Sequence, residues 1–187
     1  MKNIECEIRS FITKEQFEKL FDFFNKNAES LGYDEQATYY LNGDADLRIQ
    51  QNKDYSKIWM KKGKIHDEAR EEIEIRFARD DFEKLEKLFL ALGYEVEIKW
   101  FRERHSFKWS DINVCLDFTR GYGYIIELEK ICREEEKGAA EIESQKKRES
   151  ISYYLKLKMA ELGVALTPRE EFDSKYIYYK ENWKKLI

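Results

Sequence analysis

Residues 4–9 read IECEIR. As a β-strand this segment puts Ile4, Cys6 and Ile8 on one face and Glu5, Glu7 and Arg9 on the other, because successive side chains alternate with period 2. On the solvated face of an antiparallel sheet such a pattern carries no function, since charge faces water and apolar groups face the core. Whether the charged face is solvated or enclosed depends on the other strands.

Those strands alternate in the same way. Arg48 and Gln50 interleave with Leu47 and Ile49, Trp59 and Lys61 with Ile58 and Met60, Asp117 with Leu116 and Phe118, and Glu127 and Glu129 with Ile126 and Leu128. Arg102 and Arg104 share a face, although Glu103 interrupts clean alternation. Nearly every predicted strand therefore has one apolar and one charged face.

The chain also repeats itself. After the first strand, Thr13 and Gln16 form a capping-box pattern, and Phe17, Leu20, Phe21 and Phe24 make a helical apolar stripe. Further on, EEIEIR at 71–76 precedes a second stripe of Phe82, Leu85, Leu88, Phe89 and Leu92, and Leu92-Gly93-Tyr94 repeats Leu31-Gly32-Tyr33. Superposition aligns Glu5, Glu7 and Arg9 with Glu72, Glu74 and Arg76, which reads as an internal duplication of a strand–helix unit.

At 187 residues, 42% hydrophobic and 15% aromatic, the chain is of a size and composition for one domain with a sizeable core. Charged residues make up 39% but the net charge is only −4, so the two signs are interspersed and general nucleic-acid binding is not expected. No apolar run suits a signal peptide or a membrane span. Cys6, Cys115 and Cys132 are odd in number and lack metal-ligand spacing, which suits a reducing cytoplasm. His66 and His105 read as surface residues.

The apolar helix stripes need partners, and the apolar strand faces supply them. The charged faces then lie together on the other side of the sheet. A sheet of many antiparallel strands can curl and remove its edges, which encloses those charges. Burying unpaired charge costs several kcal/mol per group, on the order of the stability of a domain once several are counted, so such a lumen holds water, metal and a polyanion.

The pairing of Glu5-x-Glu7-x-Arg9 with LDFTRGYGYIIELE at 116–129 resembles the CYTH superfamily, or triphosphate tunnel metalloenzymes. Between them TYYL, LRIQ, WMKKG, REEIE and RERHSF follow in the family's order. The resemblance covers about residues 4 to 130 and implies an α+β fold: an eight-stranded closed antiparallel β-barrel with flanking helices, holding a triphosphate-containing small molecule with Mg²⁺ or Mn²⁺. The tunnel would occupy about residues 1–130 of a single domain, with C-terminal helices over about 131–187.

Carried over by position, the resemblance makes Glu5, Glu7, Glu127 and Glu129 metal-binding carboxylates, with Glu72, Glu74 and Asp117 as further acidic tunnel positions. Arg9, Arg48, Lys61, Arg102 and Arg104 match the phosphate-holding cations, and Arg70 and Gln50 join the substrate-binding set. Glu5, Glu7, Arg48, Lys61 and Arg104 would carry catalysis. Magnesium favours hard oxygen ligands, and guanidinium forks match phosphate oxygens in pairs. None of these side chains is expected to pack the outer core, so their removal should spare the fold. At WMKKG alternation turns Lys61 inward, with Lys62 as the alternative.

Two positions depart from the family pattern: Ala37 where an aspartate is common, and Gln50 where an arginine is common. Trp59 reads as packing, with base stacking as the alternative. Thr167, Pro168 and Glu170 read as N-cap, N1 and N3 of a last helix whose buried stripe is Phe172, Tyr176, Tyr179 and Trp183. That helix could plug one end of the tunnel and lend it a lysine from Lys180, Lys184 or Lys185. The resemblance implies metal-dependent hydrolysis of inorganic triphosphate or of a small organic triphosphate such as thiamine triphosphate. The alternatives are a class IV adenylate cyclase and a non-catalytic polyphosphate-binding protein, in each case monomer or homodimer.

Overall fold

The structure, a computed structural model, describes residues 2–62, 69–70, 72–134 and 141–187. Strand β1 (Lys2–Ile12) leads into helix α1 (Lys14–Asn27), then β2 (Glu29–Leu41), β3 (Asp46–Gln51), β4 (Tyr55–Lys61), the two-residue β5 (Ala69–Arg70) and β6 (Glu72–Ala78). A short 3₁₀ turn precedes α2 (Phe82–Ala91), and β7 (Val96–Trp109), β8 (Ile112–Thr119), β9 (Gly123–Glu134), α3 (Glu141–Glu161) and α4 (Arg169–Leu186) complete the chain. Among the described residues nine strands belong to one sheet, in the order β5-β1-β9-β8-β7-β2-β3-β4-β6, and these neighbours pair antiparallel.

The expectation of a closed eight-stranded barrel is met in part: the fold is α+β with an antiparallel sheet, and among the described residues the hydrogen-bonded order runs from β5 at one side to β6 at the other without closing. The sheet nevertheless curls on itself. Its end strands are neighbours in sequence, and Lys61 Nζ on β4 lies 3.2 Å from Glu5 Oε2 on β1, six places away in the strand order. β5 pairs with β1 and β6 pairs with β4, so segments on either side of position 71 in the chain meet the two ends of the sheet.

Outside the curl, helices cover the apolar strand faces. Ile4, Cys6 and Ile8 are buried in one cluster with Leu20 and Phe24 of α1 and Leu155 and Met159 of α3. Burial of each such aliphatic or aromatic side chain contributes roughly 1.5–3 kcal/mol. Leu41 and Ile49 meet Phe82, Leu85 and Phe89 of α2 in a second cluster. A third, Ile98 and Trp100 with Tyr179 and Trp183 of α4, sits instead on the inward face of β7, the face that also carries Arg102 and Arg104. The Thr13–Gln16 capping box is present: Thr13 Oγ1 accepts from the Gln16 N–H at 3.1 Å and Gln16 Oε1 from the Thr13 N–H at 2.9 Å.

The duplication is only partly expressed. Leu31-Gly32-Tyr33 lies in β2, whereas Leu92-Gly93-Tyr94 follows the end of α2. Leu88 and Leu92 of the second stripe are exposed, as are Ile73 and Ile75, which correspond to the buried Cys6 and Ile8. His105 is only partly exposed: its ring is half-buried against Phe21 and Tyr33, with centroids 4.7 and 4.8 Å away. His66 lies outside the described residues. Thr167 does not cap α4. Its hydroxyl accepts the Phe11 N–H at 2.9 Å and lies 2.9 Å from Ser10 Oγ, so it ties the helix approach to β1 instead.

A charged cavity as candidate active site

The inward faces of the strands enclose a cavity of roughly 370 Å³. Strand β1 contributes Glu5, Glu7 and Arg9; β9 contributes Glu127 and Glu129; β8 contributes Asp117 and Thr119; and β7 contributes Arg102, Arg104 and Ser106. The facing wall holds Arg48 and Gln50 from β3, Lys57, Trp59 and Lys61 from β4, and Glu72 and Glu74 from β6. Period-2 alternation is the cause, because each side chain inward on one strand leaves its chain neighbours outward. At one end α4 adds Phe172 and Tyr176 to the lining.

Many of the cations hold a carboxylate. Arg104 donates to both oxygens of Asp117, at 2.8 and 2.7 Å, and approaches Glu127 at 3.4 Å. Arg102 reaches Asp117 at 3.2 Å and donates twice to Gln36 Oε1, at 3.0 and 2.7 Å. Arg48 forks onto Asp46 at 2.6 and 2.7 Å. Lys57 reaches Glu74 at 2.6 Å, and Lys61 bridges Glu5 and Glu72 at 3.2 and 3.1 Å. Pairs of this kind, removed from bulk water, fix the direction of each charge.

The acids divide into two electrostatic groups. Burial alone would raise the Glu127 carboxyl, but the guanidiniums of Arg104, Arg102 and Arg9 outweigh it and hold its pKa well below the usual carboxylate range. For Glu74, hydrogen bonds from Lys57 and Arg76 likewise overcome burial and lower the pKa. Glu129 goes the other way. Burial, then the charges of Glu5 and Glu127, push it up to about 7 despite a hydrogen bond from Asn113 Nδ2 at 3.3 Å. Glu5 is also raised, by burial and by Glu72, against the pull of Lys61. Burial and neighbouring carboxylates thus favour the protonated forms of Glu5 and Glu129, whereas cations favour the ionised forms of Glu127 and Glu74.

The CYTH domain profile matches residues 3–163, most of the chain. The chain belongs to the CYTH family. Solved structures agree with this CYTH fold. A protein of Pyrococcus horikoshii is 23% identical with a TM-score of 0.69, covering 88% of this chain and 93% of its own. A Hippeastrum adenylyl cyclase candidate reported with a dominant triphosphatase activity is 14% identical with a TM-score of 0.61, covering 87% and 88%. An adenylate cyclase candidate of Vibrio parahaemolyticus is 14% identical with a TM-score of 0.60, covering 93% and 99%. No curated protein matches the sequence significantly.

CYTH proteins are generally divalent-metal dependent. Among the described residues, no three acidic, cysteine or histidine side chains converge closely enough to hold an ion as they stand. The donor chemistry is nevertheless suitable. Glu5, Glu7 and Glu129 are hard oxygen donors along one wall, and burial together with neighbouring carboxylates raises the pKa of Glu5 and Glu129, a repulsion that a bound cation would relieve. Asp117 and Glu74 are engaged by two cations each, which separates them from that group.

Of the expected residues, all but Arg70 line this one cavity. Arg70 is described through its backbone pairing with Glu5 alone, and its expected role lies outside what the structure describes. Lys61 is in the lining, whereas Lys62 is exposed. Lys180 pairs with Glu97 at 2.7 Å, and neither it nor Lys184 nor Lys185 lines the cavity. Sequence reasoning missed Gln36, Asp46, Lys57 and Asn113. Asp46 and Lys57 sit two residues from Arg48 and Trp59, so the same alternation carried their signal. No membrane-crossing helix occurs among the described residues.

Proposed function

We propose that this CYTH protein hydrolyses a triphosphate, either inorganic triphosphate or a small organic one, with Mg²⁺ or Mn²⁺ as cofactor. The observation that carries this reading is one cavity in which the carboxylates of Glu5, Glu7 and Glu129 stand together on β1 and β9 while Arg48, Lys57 and Arg104 are anchored by carboxylates on the other strands. The Hippeastrum neighbour, with its dominant triphosphatase activity, supports the same choice.

In this reading Arg9, Arg48, Lys61, Arg102 and Arg104 bind the phosphate oxygens and neutralise the charge that spreads over them as the anhydride bond breaks. Their carboxylate and amide partners hold them still, which keeps the triphosphate in line with its nucleophile. Glu5, Glu7 and Glu129 would hold the divalent cation, which supplies charge neutralisation and orientation of water. Glu72, through Lys61, ties β6 to that wall. Water attacks a terminal phosphorus, one P–O bond forms, one anhydride P–O bond breaks, and the products are orthophosphate and a diphosphate. The protein would act as a single CYTH unit in the cytoplasm.

The second reading is a class IV adenylate cyclase, favoured by the name of the Vibrio parahaemolyticus neighbour. It directs the ribose 3′-hydroxyl of ATP onto the α-phosphorus and yields cyclic AMP and pyrophosphate. Purified protein with Mg²⁺ or Mn²⁺ should release orthophosphate from inorganic or thiamine triphosphate faster than it forms cyclic AMP from ATP. Cyclic AMP as the main product would select the second reading, and tight binding without any product a purely binding role.

A further inference from the structure

Trp59 lines the cavity, yet it is only 5% exposed. Two cations stand over its ring: Lys57 Nζ at 4.5 Å and the Arg48 guanidinium carbon at 5.6 Å from the centroid. Other cavity-lining rings carry a cation in the same way. Arg48 also lies 4.2 Å over Tyr40, Arg76 lies 4.4 Å over Tyr55, and Arg9 lies 5.4 Å over Phe172. Each of these cations is held by a carboxylate as well: Lys57 and Arg76 by Glu74, Arg48 by Asp46, and Arg9, more distantly, by Glu7 at 4.0 Å.

We infer that Trp59 is a specificity-determining residue: with Lys57 and Arg48 seated on it, it makes the cavity select bare inorganic triphosphate over a triphosphate that carries an organic base. The inference rests on the triphosphatase reading and narrows its substrate. An indole face attracts a cation or a heteroaromatic ring, and here cations occupy it. A base that stacked on Trp59 would have to displace Lys57 or Arg48, and the displaced cation would lose its ring and strain its bond to Glu74 or Asp46. Inorganic triphosphate makes no such demand, because all its groups are anionic oxygens that those cations meet where they stand. On α4, Phe172 stacks on Phe11 at 4.5 Å and Tyr176 lies 6.4 Å from Tyr40, so these rings too already have partners.

The test compares inorganic triphosphate, thiamine triphosphate and ATP in two readouts, kcat/KM for orthophosphate release and the thermal upshift each ligand gives at equal concentration. Wild-type protein should favour inorganic triphosphate by about tenfold or more in kcat/KM, with the largest thermal upshift for the same ligand. Lys57→Met removes a cation and leaves the ring, so it should weaken inorganic triphosphate and narrow the preference. Trp59→Phe keeps a ring with a weaker hold on cations and should fall between the two. An organic triphosphate that equals or betters the inorganic one in both readouts, or a preference unchanged by Lys57→Met, would overturn the inference. Preferential binding of inorganic triphosphate without turnover of any substrate would defeat the triphosphatase reading while the selectivity stands.

Discussion

Glu7 on β1 stands directly opposite Glu129 on β9 in the antiparallel register, and both side chains face the cavity. Like charges placed directly across a strand pair are destabilising by roughly 0.2–1 kcal/mol, and enclosure strengthens the repulsion. Packing gives no reason for this pair, since the outward face of the same strands already supplies the core through Ile8 and Leu128. The arrangement makes sense if a cation comes between the two carboxylates.

Replacing Glu129 by Gln should therefore separate stability from function. The metal-free variant should melt about 2–4 °C higher at neutral pH, the shift expected for roughly 1 kcal/mol in a chain of this size. Its activity should fall by about tenfold or more, with a higher metal concentration at half-maximal rate. Calorimetry in a chelator and a metal titration of phosphate release measure the two effects. A variant that gained stability and kept full activity at low metal would remove Glu129 from the metal-holding group.

The pH dependence of the metal-free protein follows from the same residue. A carboxyl raised from 4.5 to about 7 means that folding favours the protonated form. Its contribution is fully present below about pH 4.5 and is lost as pH rises through about 7. Glu127, lowered by its guanidinium neighbours, contributes in the opposite sense: its stabilisation is present above the ordinary Glu range and is lost as pH falls through its depressed value. The chelated protein should thus lose melting temperature between about pH 5 and pH 8, and Glu129→Gln should flatten that slope. Added Mg²⁺ or Mn²⁺ should restore stability most on the alkaline side.

Arg104 gives a third prediction, and it revises the expectation that tunnel residues can be removed without disturbing the fold. Asp117 is 3% exposed and takes both of its closest bonds from Arg104. Arg104→Ala leaves that carboxylate with Arg102 alone, and breaking such a pair costs about 3 kcal/mol or more. Arg104→Ala should accordingly be destabilised as well as inactive. Arg104→Ala combined with Asp117→Asn should recover part of the stability and none of the activity. A double-mutant cycle by urea unfolding measures the coupling, and additive losses would show that the two side chains act independently.

The sequence revealed the inward face because period 2 is local: Glu5, Glu7, Arg9, Arg48, Lys61, Arg102 and Arg104 are all spaced by it. The resemblance added the order of the strands' motifs and the identity of the carboxylates. How the sheet returns on itself was not legible, because bringing β5 onto β1 and β6 onto β4 depends on twist accumulated along the whole sheet. The ion pairs were equally hidden. Whether Arg48 meets Asp46 or a ligand is decided by rotamers and cross-strand distances that alternation does not encode. The last helix was legible in its stripe and misjudged at its start, because Thr167 finds a partner on β1 that is remote in sequence.

Gln50 offers the last and most specific prediction. It is 4% exposed, donates to Thr38 Oγ1 at 2.9 Å and to Gln36 Oε1 at 3.2 Å, and shares that acceptor with Arg102. It also stands opposite Lys57 in the β3–β4 register. An arginine here would add a phosphate-matching fork, but it would have to fit a filled site beside two existing cations. Overpacking of this kind costs about 1–3 kcal/mol, and the added repulsion acts in the same direction. Gln50→Arg should therefore lower the melting temperature of the ligand-free protein. Triphosphate should bind about tenfold tighter, since the new charge is neutralised only when phosphate oxygens arrive. The thermal upshift on adding inorganic triphosphate should then exceed that of the wild-type protein. If calorimetry finds unchanged affinity in a folded Gln50→Arg variant, the bound phosphates lie beyond reach of β3 at this position.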